Sequence, residues 1–354
     1  MRKIVAGAAL LAAITMPQLS IAKIWRLNNN AGVTADFTNL NAAFTNASVV
    51  SGDTIHLEAS TIDYGSATLN KRLVIIGLGY FLDPANTTFP ANTGLQASTM
   101  VGALSSITIG TGSNGSKFIG VVFNSSISVS ANPNPLNISF EKCFINSGIF
   151  FPSTAVSGIT VRKCFFNNAR IETNTANTLS DFVCENNIFF TTFSYLNLSG
   201  LTGSNNIFRN NSFRDVGATS TISNCYVANN IFGTSPVINF TNCTIKNNLF
   251  QANQTLPPTA TNNQINVNMT NVYVGGTTGS IDSRLVLKAG SPAIAAGLTV
   301  GSVTTPDCGA FGATDPYKLS GIPNIPSIYA LSVPISIPAG SNTMNVTFST
   351  RSNN

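Results

Sequence analysis

Glu141, Lys142, Arg162, Lys163, Arg170, Glu172 and Glu185 are the residues whose types could do chemistry. They gather in one stretch of a chain that is only 9% charged. A Lys or Arg beside carboxylates can act as a base in a β-elimination. Acidic and Asn oxygens can hold the calcium that such a reaction often uses to neutralise a substrate carboxylate. Hydrolysis through two positioned carboxylates has less support, because the sequence holds no Asp-Asp or Glu-Glu pair and no Gly-His-Gly. The spacing offers a simpler reading. Glu141 and Arg162 lie 21 residues apart, and if that is one structural period they pair as ions across neighbouring turns of chain. Solvated ion pairs are therefore the preferred reading of these charges, with glycan contact or a lyase site as the sharper one.

His56 is the only histidine. It alternates with Ile55 and Leu57 and reads as a surface or cap residue, since a lone His makes neither a triad nor a zinc site. Gly110–Gly115 reads as a turn. No Lys-Ser/Thr follows it, as a phosphate-cradling loop would need. Six cysteines are present without a CxxC or a Cys/His cluster, so no metal is expected.

The elements that must position these residues repeat. Ile138–Phe144 (ISFEKCF) recurs at Ile159–Phe165 (ITVRKCF), and the unit then becomes Asn-Asn-x-Phe at 186–189, 205–208, 229–232 and 247–250, with an extra copy at 210–213. A period near 20 residues, with short β-branched and aromatic alternations bounded by Asn, Ser, Thr and Gly, predicts a β-solenoid. No window sustains a helical period. Parallel stacking with right-handed crossovers follows. Asn187, Asn206, Asn230 and Asn248 are expected to form a side-chain ladder at a sharp turn. Phe189, Phe208, Phe232 and Phe250 are expected to stack inward beside it. Glu141-Lys142 and Arg162-Lys163 are expected to fill the same turn slot in the earlier coils. Cys143 and Cys164, and Cys225 and Cys243, fall at equivalent coil positions. Free buried thiols are the preferred reading, with disulfides Cys143–Cys164 and Cys225–Cys243 as the alternative.

The chain has 354 residues and a net charge of +5, or +3 without Arg2 and Lys3. No basic patch argues for nucleic acid. Residues 1–22 have a basic start, an apolar run and a small-residue end, and predict a secretory signal peptide. No other stretch is long and apolar enough to span a membrane. Residues 23–318 are expected to form the solenoid, with 23–50 as an N-terminal cap containing an amphipathic helix. Residues 319–354 are expected to form an extended linker and a β-hairpin tail.

Gly52-Asp53-Thr54-Ile55-His56-Leu57, then Leu73–Gly79, then Lys288–Ile294 and Asp307–Gly312, resemble the opening and closing coils of secreted bacterial right-handed parallel β-helix proteins. These form the pectin-lyase-like superfamily, which includes lyases of the chondroitinase B and alginate lyase type. The resemblance implies the fold over about residues 24–318. It does not assign a catalytic position, because such a fold hosts many activities. The expectation is a secreted, non-catalytic β-helix that contacts glycans or proteins and needs no cofactor. A polysaccharide lyase, with calcium, is the first alternative, and a structural or adhesive module with the tail as contact point is the second.

Overall fold

The computed structural model describes residues 22–96, 102–130, 136–152, 155–173, 178–191, 194–216, 219–234, 237–337 and 339–352. Of the expected signal peptide only Ala22 falls among them.

The chain forms a parallel β-solenoid of about 8 turns. Three sheets of 10, 8 and 8 strands run its length. One full coil shows how the sequence builds it. Ile138–Glu141 lies in the first sheet, Phe144–Ile145 in the second and Gly148–Phe151 in the third, and the chain then returns to the first sheet at Ile159–Arg162. Equivalent strands pair in parallel, with Phe140 opposite Val161 and Phe144 opposite Phe165. The alternation puts every second side chain inside.

The inner aromatic column runs through the second sheet. Phe166 and Phe189 have ring centroids 4.5 Å apart, as do Phe189 and Phe213. Phe213 to Phe232 is 5.2 Å and Phe232 to Phe250 is 5.0 Å. The expected column is thus corrected at one member. Phe208 belongs to the first sheet, opposite Val227, and Phe213 takes the place assigned to it. The repeat copy at 210–213 is the one in phase. The copy at 205–208 sits one corner earlier.

All six cysteines are free thiols, five of them buried and Cys243 half-buried. Cys143 and Cys164 occupy the same corner, with the Cys143 amide 3.4 Å from Cys164 Sγ.

At the N-terminal end, the helix Leu40–Thr45 is capped by Asn39, whose side chain accepts from the Ala42 amide. Asp36, three residues earlier, does not cap this helix. Asp36 Oδ2 instead accepts from the Arg26 amide. Leu40, Ala43 and Phe44 of this helix join the main core. Near the C-terminus, Ser327–Ser332 and Thr347–Arg351 form one antiparallel pair.

The outer face of the second sheet is covered rather than solvated. Phe144, Phe165, Ile188, Ile231 and Leu249 pack against Tyr80, Phe81, Val272, Tyr273, Cys308, Ala310 and Tyr317 in a second core. Gly309 lies so close that a Cβ would come within 2.6 Å of Ser212 Oγ and Ile231 Cδ1, and its φ is +90°. Only glycine fits there.

Candidate functional sites

The turn from the first sheet to the second is a two-residue corner. Its first residue is left-handed in six successive coils: Lys142, Lys163, Asn186, Asn210, Asn229 and Asn247, with φ between 50° and 57°. The slot expected to hold Glu141-Lys142 and Arg162-Lys163 is therefore shifted by one. Lys142-Cys143 and Lys163-Cys164 occupy it, while Glu141 and Arg162 end their strands.

The second corner residue points inward and carries the ladder. Asn187 Nδ2 donates to Asn211 Oδ1, Asn211 to Asn230, Asn230 to Asn248, and Asn248 to Asn263, at 2.9–3.0 Å. Each Oδ1 also accepts the backbone amide of the coil before, as Asn230 Oδ1 does from Asn211 N at 2.9 Å. Asn187, Asn230 and Asn248 are placed as expected. Asn206 is not in this column. It sits at the preceding corner, accepting from Phe182 N and donating to Thr202 O and Asn224 O. Asn211 is the member that the sequence pattern hid, because the Asn-Asn copy at 205–206 competes with it.

The first corner residue points outward and holds the returning C-terminal chain. Asn247 donates to Ala296 O, and Asn229 both donates to Leu298 O and accepts from Leu298 N. Asn210 reaches Asp307 O, and Asn186 reaches Ala310 O and Gly312 O. Lys163 Nζ bonds Asp315 Oδ1, and Lys142 Nζ bonds Ile322 O and Asn324 Oδ1. As the corner number falls from 247 to 142, the partner number rises from 296 to 324. The C-terminal chain therefore runs back along the solenoid against the direction of coil stacking.

The charges nominated for catalysis are absorbed by this arrangement. Glu141, Arg162, Glu185 and Arg209 stand in register on neighbouring strands. Glu185 is buried and pairs with both Arg162 and Arg209. Burial pushes its carboxyl up, but the two guanidiniums outweigh burial and hold it below the ordinary carboxylate value. The expected Glu141–Arg162 pair is replaced, since Arg162 turns to Glu185 and Glu141 Oε1 lies 3.5 Å from Lys163 Nζ. Lys142 and Lys163 are both buried. Burial, and then the Lys163 charge, push the Lys142 ammonium below its ordinary value.

Arg170 and Glu172 lie elsewhere, on the outer face of the third sheet in the strand Arg170–Thr173. Their side chains pair at 2.9 Å. The Arg170 guanidinium sits 4.9 Å from the Phe150 ring centroid and 5.6 Å from that of Tyr195, and Tyr195 OH reaches Glu172 Oε2 at 3.4 Å. Around this cluster the same register row holds Thr108, Ser128, Asn197 and Thr221. Two aromatic rings, one cation and one carboxylate thus stand on an open field of hydroxyls and amides.

His56 lies half-buried on the outer face of the first sheet, between Arg26 and Ile76. Burial lowers its pKa despite nearby Glu58. Among the described residues no group of three or more His, Cys, Asp or Glu could hold a metal ion, and no helix is long and apolar enough to cross a membrane.

Asp282 stands in no motif or repeat that sequence reasoning could single out. It is fully buried and accepts from Asn92, Ser280, Tyr317 and the Ser320 amide. It ties an early loop to the end of the returning chain. Burial raises its pKa. Its partners lie up to 190 residues away, and no local pattern encodes such contacts.

No protein-family model matches the chain, and no curated protein matches it.

Proposed function

We propose that this chain is an exported, non-catalytic β-helix that contacts glycans through the outer face of its third sheet. The single observation carrying this reading is the Phe150–Arg170–Tyr195–Glu172 cluster. Aromatic faces stack on sugar rings, and a paired Arg and carboxylate supply donors and acceptors to hydroxyls. A flat, polar, hydroxyl-rich sheet suits an extended chain better than a closed pocket would. Export rests on the leader pattern at 1–22, and the resemblance to pectin-lyase-like β-helices supports a right-handed winding and a carbohydrate context. The lyase alternative is weaker, because Lys142, Lys163 and Glu185 are buried in contacts that hold the chain to itself.

The test is calorimetry against a panel of neutral and acidic polysaccharides, run beside an ultraviolet assay for unsaturated uronates with calcium added. The expected result is binding to at least one glycan, weakened tenfold or more by Tyr195→Ala or Phe150→Ala, with no absorbance change. Elimination activity abolished by Lys142→Ala or Lys163→Ala would overturn the reading in favour of a lyase.

One observation favours a second reading, assembly through the tail. Residues 319–350 carry no charge, and Ile328, Leu331, Val333, Ile335, Ile337, Met344, Val346 and Phe348 are all exposed. Leu331 stands directly opposite Phe348. A two-stranded hairpin is marginal alone. The open apolar surface is on the order of several hundred Å², approaching the roughly 800 Å² per partner of a standard interface. We assign a second copy of this chain as the partner, because an uncharged apolar face complements itself. Sedimentation should give a dimer that Leu331→Asp with Phe348→Asp converts to monomer; a monomer at all concentrations would exclude it.

A further inference from the structure

Lys142 and Lys163 occupy the same corner of successive coils, but their partners differ. Lys163 Nζ meets two carboxylates, Asp315 at 2.5 Å and Glu141 at 3.5 Å. Lys142 Nζ meets neutral oxygens, Ile322 O at 3.0 Å and Asn324 Oδ1, and among the described residues it forms no ion pair. Lys142 is only 2% exposed. A buried ammonium without a paired carboxylate is costly, so the neutral amine is favoured. Burial and then the Lys163 charge push toward the amine, with Lys318 adding to them, against the opposing charges of Glu141 and Asp315.

The group that this amine faces is held as well. Asn324 ends a stretch of returning chain packed hard against the corner. Tyr80 N donates to Ser320 O at 2.8 Å, and a Cβ at Gly321 would lie 2.5 Å from Lys142 O. Asn324 Cγ is one bond beyond the oxygen that Lys142 contacts. A desolvated amine held beside a carboxamide is set up for aminolysis, because the fold has already brought nucleophile and electrophile together. Asn324 itself is exposed, so a small leaving group released there passes directly to water.

We propose that Lys142 and Asn324 are joined by an intramolecular isopeptide bond, which staples the returning chain to its corner just before the apolar tail. Lys142 Nζ bonds to Asn324 Cγ, the Cγ–Nδ2 bond breaks, one proton passes from Nζ to Nδ2, and ammonia leaves. Glu141, the adjoining residue, supplies the carboxylate that carries this proton. The step consumes no oxidant and no cofactor. It is independent of the glycan surface and of tail assembly, and survives if those readings fail.

The test is intact-mass spectrometry of the denatured full chain, followed by proteolysis. The chain should be one ammonia lighter than its sequence from the observed first residue, and a branched peptide should contain both Lys142 and Asn324. The link closes a loop across a separation of 182 residues, so the linked chain should run ahead of the unlinked one on a denaturing gel. Lys142→Arg and, separately, Asn324→Ala should each restore the full mass with circular dichroism unchanged. Glu141→Gln should slow linking roughly tenfold. Lys163→Arg, which keeps the charge at the ion-paired corner, should still link. Linking should quicken as pH rises, because more of Lys142 is then the free amine. An unmodified full chain after prolonged incubation in mild alkali, an ammonia loss that maps elsewhere, or a loss that survives Lys142→Arg would overturn the proposal.

Discussion

The corners at 142–143 and 163–164 solve the same backbone problem as those at 186–187 through 247–248, with different side chains. Both demand a left-handed first residue and a buried second one. Asn meets the first demand at little cost, because its short amide tolerates and bonds that conformation. Lys does not, and is retained where the returning chain offers Asp315, Ile322 O and Asn324 for an ammonium to hold. At the second position Asn gives a continuous hydrogen-bonded column, whereas Cys gives a weak 3.4 Å sulfur contact and apolar fill. The difference teaches that a charged repeat can mark a docking position for the protein's own chain rather than a site for a substrate.

The largest expected effect is at the inner Asn column. Asn230→Ala strands the buried Asn211 and Asn248 groups that it bonds and should cost about 2–4 kcal/mol in denaturant melts. Cys164→Ala at the equivalent Cys corner should cost only about 1–2 kcal/mol. Equal losses would erase the distinction between the two kinds of corner.

Next in size is the outward position. Asn229→Ala loses its two bonds to Leu298 and must hold a left-handed backbone, for about 1–3 kcal/mol together. Asn229→Gly keeps the backbone and should recover part of that loss. If the glycine variant is no better than alanine, the φ argument fails.

The charged coils should also respond to acid in a way the Asn coils do not. Glu185 has its folded pKa below its ordinary 4.5. Its stabilising contribution is therefore complete above that value and is lost as pH falls through the depressed one. Asp282 is raised, so its contribution has the opposite sign: present at low pH and lost as pH rises through its folded value. Glu185→Gln should flatten the acid limb of the stability curve, and an unchanged limb would remove the two-arginine account.

How much of this was legible in the sequence depended on the range of the interaction. The coil period, the parallel strands and the inward Phe column follow from local alternation and a repeat near 20 residues, and both were readable. Asn206 and Phe208 were misplaced because two Asn-Asn-x-Phe copies fall within one coil and only pairing decides which is in phase. The ion pairs were misassigned because strand register puts Glu141 beside Arg162, while side-chain reach selects Glu185. The returning chain was unreadable, since its bonds to the corners span separations of 49 to 182 residues.

Hydrogen–deuterium exchange on Lys142→Ala and Lys163→Ala, compared with the unaltered chain, tests the central claim most directly. The account predicts faster exchange across residues 315–324, with strands Ile138–Glu141 and Ile159–Arg162 still protected. Unchanged protection at 315–324 would contradict it, and would return the two lysines to candidacy for chemistry.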